Sequence, residues 1–260
     1  MSKSKGPGVC QFQYTVKGHA GHLCEMKTES GKDTCFWHTP SGKRQYPGGT
    51  EDYLKTRVHK GLPLEGFVLV GSEINQIDLS GGCFRRADFS RAGFRAAKLR
   101  GADLSKAVMV DADFGETDLR EVDFREANME KSILDYSDAT NAKFSKANLT
   151  RARCVEATIQ DADLSGATLV DARIEDSTLK GSNLEGANLE GAVLSNVDLE
   201  GVNLRSANLK NAELVGCRLV DADLRGADLS GASIEDSQAD GIKLDNAKTT
   251  GAVLHGTGLK

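Results

Sequence analysis

From Leu64 onward every fifth residue is a large apolar one: Leu69, Ile74, Leu79, Phe84, Phe89, Phe94, Leu99, and so on through Leu229 and Ile234 to Leu254 and Leu259. Ala139, Cys154, Ala239 and Thr249 break this column, and no residue is inserted anywhere along it. Two residues earlier runs a second column of small side chains, from Ala87, Ala92 and Ala97 to Ala247 and Ala252. About 40 consecutive pentapeptides keep this pattern. A period of five suits neither regular element. In a helix, five residues leave successive apolar positions about 140° apart, so they bury no single stripe. In a flat strand, five is odd, and successive apolar residues point to opposite faces. The chain must bend once per repeat so that every fifth residue points inward. Four bends of about 90° close a square coil of about twenty residues, which hydrogen-bonds to the next coil about 4.8 Å away. About ten coils make a rod roughly 47 Å long. The small residue also points inward, where a larger one would not fit.

Segments such as Ala102-Asp103-Leu104-Ser105-Lys106, Ala187-Asn188-Leu189-Glu190-Gly191 and Ala227-Asp228-Leu229-Ser230-Gly231 carry the motif A(D/N)LXX. In this the chain resembles the pentapeptide repeat proteins over about three quarters of its length. The resemblance implies an all-β solenoid, a right-handed quadrilateral β-helix. The Leu/Phe column is then core, and the Asp and Asn residues before it are turn and ladder residues rather than catalysts. Asn128, Asn148, Asn188 and Asn208 fall on one face and are candidates for an amide ladder.

Composition agrees with a repeat rather than an ordinary globular core. Hydrophobic residues make up 39% and aromatics 5% of the 260 residues. All four prolines (Pro7, Pro40, Pro47 and Pro63) lie in the first quarter, which excludes a Pro-rich chain. No apolar run is long enough to span a membrane, and the first twenty residues hold no apolar signal core. A cytoplasmic location is expected, with the six cysteines reduced or metal-bound.

Residues 1–60 lack the period and divide into a small Cys/His module with linker (1–49) and a short capping helix (50–61), ahead of the solenoid (62–260). They hold 10 Lys/Arg against 5 Asp/Glu, whereas the remainder holds 23 against 33. Cys10, Cys24, Cys35 and His38 are spaced as C-x13-C-x10-C-x2-H. That set could hold one structural zinc tetrahedrally, and so few apolar residues would hardly fold otherwise. The Cys35-Phe36-Trp37-His38 knuckle also looks like the module that precedes the repeats in some bacterial members of the family. Reduced, unliganded cysteines or a disulfide are the alternatives, and His19 or His22 could replace a ligand. Thr50 can cap a helix with Glu51 and Asp52 in its first turn. Leu54 and Val58 give that helix an apolar side with which to cover the first coil edge.

No nucleophile, base and orienting group occur together, and no phosphate loop or zinc-protease motif is present, so an enzyme is not expected. Cys154 and Cys217 occupy inward columns as small apolar residues. The register places the charges. One longitudinal corner carries Glu116, Asp118, Asp135, Asp138, Glu156, Glu175, Asp176 and Asp198 with no Lys or Arg among its own positions. Residues 81–110 form a basic collar. The expected function is a non-enzymatic scaffold that presents charged faces to a protein partner. An alternative, which the family resemblance suggests, is a DNA mimic that binds DNA gyrase through the acidic corner. A third is nucleic-acid binding through the basic N-terminal module, with Phe12, Tyr14, Phe36 and Trp37 available for stacking. A homodimer through the C-terminal coil is also expected, since an open coil end exposes Leu254 and Leu259 together with unpaired backbone groups.

Overall fold

The computed structural model describes residues 50–257, so Cys10, Cys24, Cys35 and His38 lie outside the described residues. A helix, α1 (Thr50–His59), leads into a four-sided parallel solenoid in which residues twenty apart pair. The pairing begins at Val68 with Asp88 and runs to Ser233 with Val253. One coil illustrates the repeat. Leu104 points inward and donates its amide to Asp123 O on the next coil (2.8 Å), and Asp123 N returns a bond to Ala102 O (2.9 Å). Ala107 N then closes the corner onto Leu104 O (3.1 Å). Between them Lys106 takes the left-handed conformation with φ 61°, and its amide also bonds the next coil. Every corner makes this demand. Glycine meets it without a Cβ penalty at positions such as Gly101 (φ 66°), while Asp, Asn, Lys and Glu occupy many of the others.

The inward columns make the core. Phe84, Phe89, Phe94, Phe114, Phe124 and Phe144 form a chain of ring contacts down its first half. Stacked pairs Phe94–Phe114 and Phe124–Phe144 lie 4.9 Å apart, and edge-to-face pairs join them. Where the rings give way to leucine, a void of about 10 Å³ remains, lined by Phe144, Leu149, Cys154, Ile159 and their neighbours. Leu54 of α1 is fully buried on the first coil, with Tyr53 and Val58 beside it. Arg57 donates to Pro63 O (2.8 Å) and lies over the Phe67 ring, which clamps the helix down. At the other end Ile242, Leu244, Ala247 and Leu254 are only partly covered.

Three faces share one outer chemistry. Where an Asp or Asn precedes the inward residue, it often accepts the amide two residues on, as Asp103 does from Ser105 N (3.0 Å) and Asn148 from Thr150 N (3.1 Å). That cap supports a turn immediately after the inward residue, a turn that Lys98, Val108 and Lys143 also precede without it. The third face, whose inward column runs Phe114, Leu134, Cys154, Ile174, Leu194, Leu214 and Ile234, loses this cap after Asp113. Ile133, Arg153, Arg173, Val193, Glu213 and Ser233 take its place; after Ile133 the chain still turns as on the other faces, and from Arg153 on it does not. The backbone stays extended for one more residue and forms strands β1 (Arg153–Val155), β2 (Arg173–Glu175), β3 (Val193–Ser195), β4 (Glu213–Val215) and β5 (Ser233–Glu235). They pair in parallel in chain order with a register of twenty. Inward hydroxyls of the next coil close the corners after β1 and β4. Ser177 Oγ accepts Ala157 N (2.9 Å) and donates to Cys154 O (3.2 Å). Ser237 does the same for Cys217 N (2.9 Å) and Leu214 O (3.3 Å).

Candidate functional site

The corner between the third and fourth faces carries the acidic residues singled out in the sequence. Glu116, Tyr136, Glu156 and Asp176 hold its left-handed position on successive coils, with φ of 59, 59, 52 and 50°, and so project outward one above another. The register therefore brings the eight acids onto one edge. It also brings arginines that the corner does not contain between 115 and 198, because they stand on the flanking faces and on the coils before and after. Arg95 reaches Glu116 (2.5 Å). Arg120 forks onto Asp118 through Nε (2.8 Å) and Nη2 (2.6 Å) and lies 3.6 Å from Asp138. Arg153 grips Asp135, which also accepts Val155 N (3.2 Å). Arg173 binds Glu175 (2.8 Å), and Arg218 lies 3.5 Å from Asp198. The expectation of a one-sign stripe is corrected accordingly: six of the eight acids have an arginine partner. Of the other two, Asp176 accepts from Asn196 Nδ2 (3.0 Å), and Glu156 has no side-chain donor among the described residues. The Arg120 bonds hold the Asp118 carboxyl below the usual range.

The basic collar is similarly tied to the coil that follows it. Arg100 bonds Glu121 (2.7 Å) and Lys106 lies 3.5 Å from Glu126, while Arg86 is 3.9 Å from a buried Glu65. Glu121 and Glu126 sit twenty-one and twenty residues on, and Glu65 twenty-one residues before, offsets invisible until the coil length is known. The amide ladder forms in two separate rungs: Asn148 Nδ2 donates to Asn128 (3.0 Å), and Asn208 donates to Asn188 (2.9 Å). Thr168 stands between them. A ladder the sequence reading missed, Asn203 to Asn183 (2.9 Å), runs on the adjoining face.

No side-chain set for acid–base or nucleophilic chemistry gathers on this surface. Burial pushes the thiols up, Cys83 and Cys217 to about 11 and Cys154 to about 12, so all three are protonated at neutral pH. Among the described residues no group of three or more His, Cys, Asp or Glu is placed to hold a metal ion, and no helix is long and apolar enough to cross a membrane.

A family model described as pentapeptide repeats matches eight copies, spread over residues 72–109, 107–151, 140–176, 172–211, 182–219 and 203–237. No curated protein matches the sequence. Among solved structures, one similar chain is HetL, a pentapeptide repeat protein involved in heterocyst differentiation regulation from the cyanobacterium Nostoc sp. strain PCC 7120. It shows 28% identity and a TM-score of 0.60 over 74% of this chain and 86% of that one. A pentapeptide repeat protein of the Arabidopsis thaliana thylakoid lumen is 30% identical over 38% of this chain and 65% of its own, with a TM-score of 0.29. QnrB1, a plasmid-mediated fluoroquinolone resistance protein, is 22% identical over 70% of this chain and 88% of its own, with a TM-score of 0.30.

Proposed function

The chain belongs to the pentapeptide repeat family, and from that premise we propose that it is a non-enzymatic scaffold, a rigid rod that binds a protein partner through its outer columns. One observation carries the reading: the prism is filled. Its core leaves a void of about 10 Å³, too small for any substrate, and its thiols are held protonated. What the molecule offers is a set of outward side chains in fixed positions about 4.8 Å apart along the axis. A partner enriched from the native lysate should bind the purified full chain directly in calorimetry. Equal binding by a chain carrying Glu116→Lys, Glu156→Lys and Asp176→Lys would move the contact off the acidic corner.

A second reading, mimicry of DNA toward DNA gyrase, draws on the outermost column of Glu116, Glu156 and Asp176. Duplex DNA carries one negative charge per about 1.7 Å. This corner offers far less once its arginines are counted, so we place the mimic second. Unchanged gyrase supercoiling in the presence of micromolar protein would end it. The N-terminal module enters the same proposal as a zinc site of Cys10, Cys24, Cys35 and His38, a reading that rests on ligand spacing. Metal analysis of freshly reduced protein should return one zinc per chain. Retention on immobilised DNA at low salt would instead favour nucleic-acid binding by that module.

A further inference from the structure

The third face is unlike the other three, and its difference points to a contact between copies of the chain. On the other faces the outer residues are mainly Asp, Asn, Thr, Ser and charged side chains bonded into the corners. On the third face β1 to β5 lie flat and turn two outer columns to solvent. Ile133, Val155 and Val193 are half-exposed there, and Val215 and Val253 are 40% and 49% exposed. The charges along the face follow an order. Arg153 and Arg173, each paired with an acid of the same face (Asp135 and Glu175), stand on one side of Val193, and Glu213 and Glu235 stand on the other with no Lys or Arg partner among the described residues.

We propose that two copies pack third face to third face, antiparallel, about a twofold axis that runs parallel to the strands, midway between the two sheets, at the level of Val193. The geometry follows from the register. Rotation about that axis maps each coil onto the one equally far on the other side of Val193 and keeps each outer column opposite itself. Arg173 then faces Glu213 of the second copy, and Glu213 faces its Arg173. Val193 meets Val193, Ile133 meets Val253, and Asp135 meets His255. Arg153 comes opposite Ser233, with Glu235 beside it. Val155 and Val215 lie across from Glu235 and Glu175, whose carboxylates are already turned to Ser233 Oγ and Arg173. Identical strand spacing in both copies lets the rows match without slip, and two such sheets pack about 10 Å apart. The contact is isologous and closes on itself, so it makes dimers and not fibres. A narrow face places it in the weak, transient class of interfaces. It does not depend on which partner the scaffold binds.

Sedimentation velocity on the full chain, from about 5 to 200 µM in low salt, tests it. A concentration-dependent dimer is expected. Arg173→Glu alone and Glu213→Arg alone should each weaken it at least about tenfold, because each sets like charges opposite each other twice. An equimolar mixture of the two single variants should dimerise again, since every facing pair across that heterodimer is opposite in sign. Both side chains are exposed, and matching thermal melts of the variants check their folding. A monomer throughout the range would overturn the proposal, as would a dimer indifferent to both variants or a mixture that stays monomeric. A dimer lost on Leu254→Asp but kept in Arg173→Glu belongs to the partly open final coil and also overturns it.

Discussion

Single hydroxyls mark where this solenoid departs from its own repeat. Ser177 and Ser132 are both buried serines in the small inward column, yet they do opposite things. Ser177 closes a corner by accepting one amide and serving one carbonyl, whereas Ser132 Oγ has no hydrogen-bond partner among the described residues. Ser177→Ala should therefore cost about 1–3 kcal/mol, the penalty for leaving two buried backbone groups unpaired. Ser132→Ala should stay within about 0.5 kcal/mol of the parent or stabilise it. Paired urea melts of the two variants decide this, and equal losses would contradict it. Phe124 is the larger-scale counterpart. Stacked on Phe144 and touching Phe114, it should cost about 3–5 kcal/mol when cut to alanine. Neither serine could be told from its neighbours in the linear pattern, because both satisfy the same requirement of being small.

At the level of the corner, the side chains that cap one turn also constrain the coil beside it. Arg225 bonds hold Asp223 at about 2, and the Ser230 hydroxyl does the same for Asp228. Folded values below the unfolded ones mean that these caps stabilise above about pH 4 and are lost as pH falls toward 2. Asp223→Asn with Asp228→Asn should flatten the decline in melting temperature between pH 4 and 2. A slope identical to the parent's would show that the caps do not drive acid unfolding. Stacking adds a second constraint. A Cβ on Gly231, whose φ is 72°, would sit 2.5 Å from Asn211 Oδ1 on the preceding coil. Gly231→Ala should cost at least about 1–2 kcal/mol from the backbone conformation alone. Asn211→Gly introduced alongside it should recover whatever the clash adds, which a double-mutant cycle in urea measures. The acidic edge was legible at this scale only in part. Its carboxylates follow from counting fives and twenties, but Arg153 and Arg173 belong to a different column and reach it sideways.

For the whole rod, two periods coexist and carry different information. Five keeps the core, and any multiple of five preserves the inward column. Twenty keeps the ion pairs, the amide rungs and the hydroxyl-closed corners. Deleting residues 181–200, one whole coil, should leave a folded rod with a modestly lower melting temperature, as expected of a one-dimensional array. Deleting only 181–185 keeps every leucine inward but rotates all later residues by one face. That removes the Asn183–Asn203 rung and parts the pairs that span the cut, Lys180–Glu200 and Asp176–Asn196. The shorter deletion should be the more damaging in a thermal melt followed by circular dichroism. The reverse order would mean that the core column alone determines stability.

What the linear sequence determined by itself is the solenoid: its start near Leu64, the inward columns, the coil of about twenty and the outward position of each charge. Sterics and parity leave a pentapeptide period no other compact solution. What only the tertiary structure decided is the chemistry of the faces. The third face is extended from Arg153 on, where Arg, Val, Glu and Ser stand in place of a capping Asp, and hydroxyls one coil away close the corners after β1 and β4. The partners of the acidic edge were settled in the same way. The closed corners, and the pairs that Arg95, Arg153 and Arg218 make, depend on residues eighteen to twenty-three positions apart meeting across stacked coils, and no local pattern reports on such a meeting.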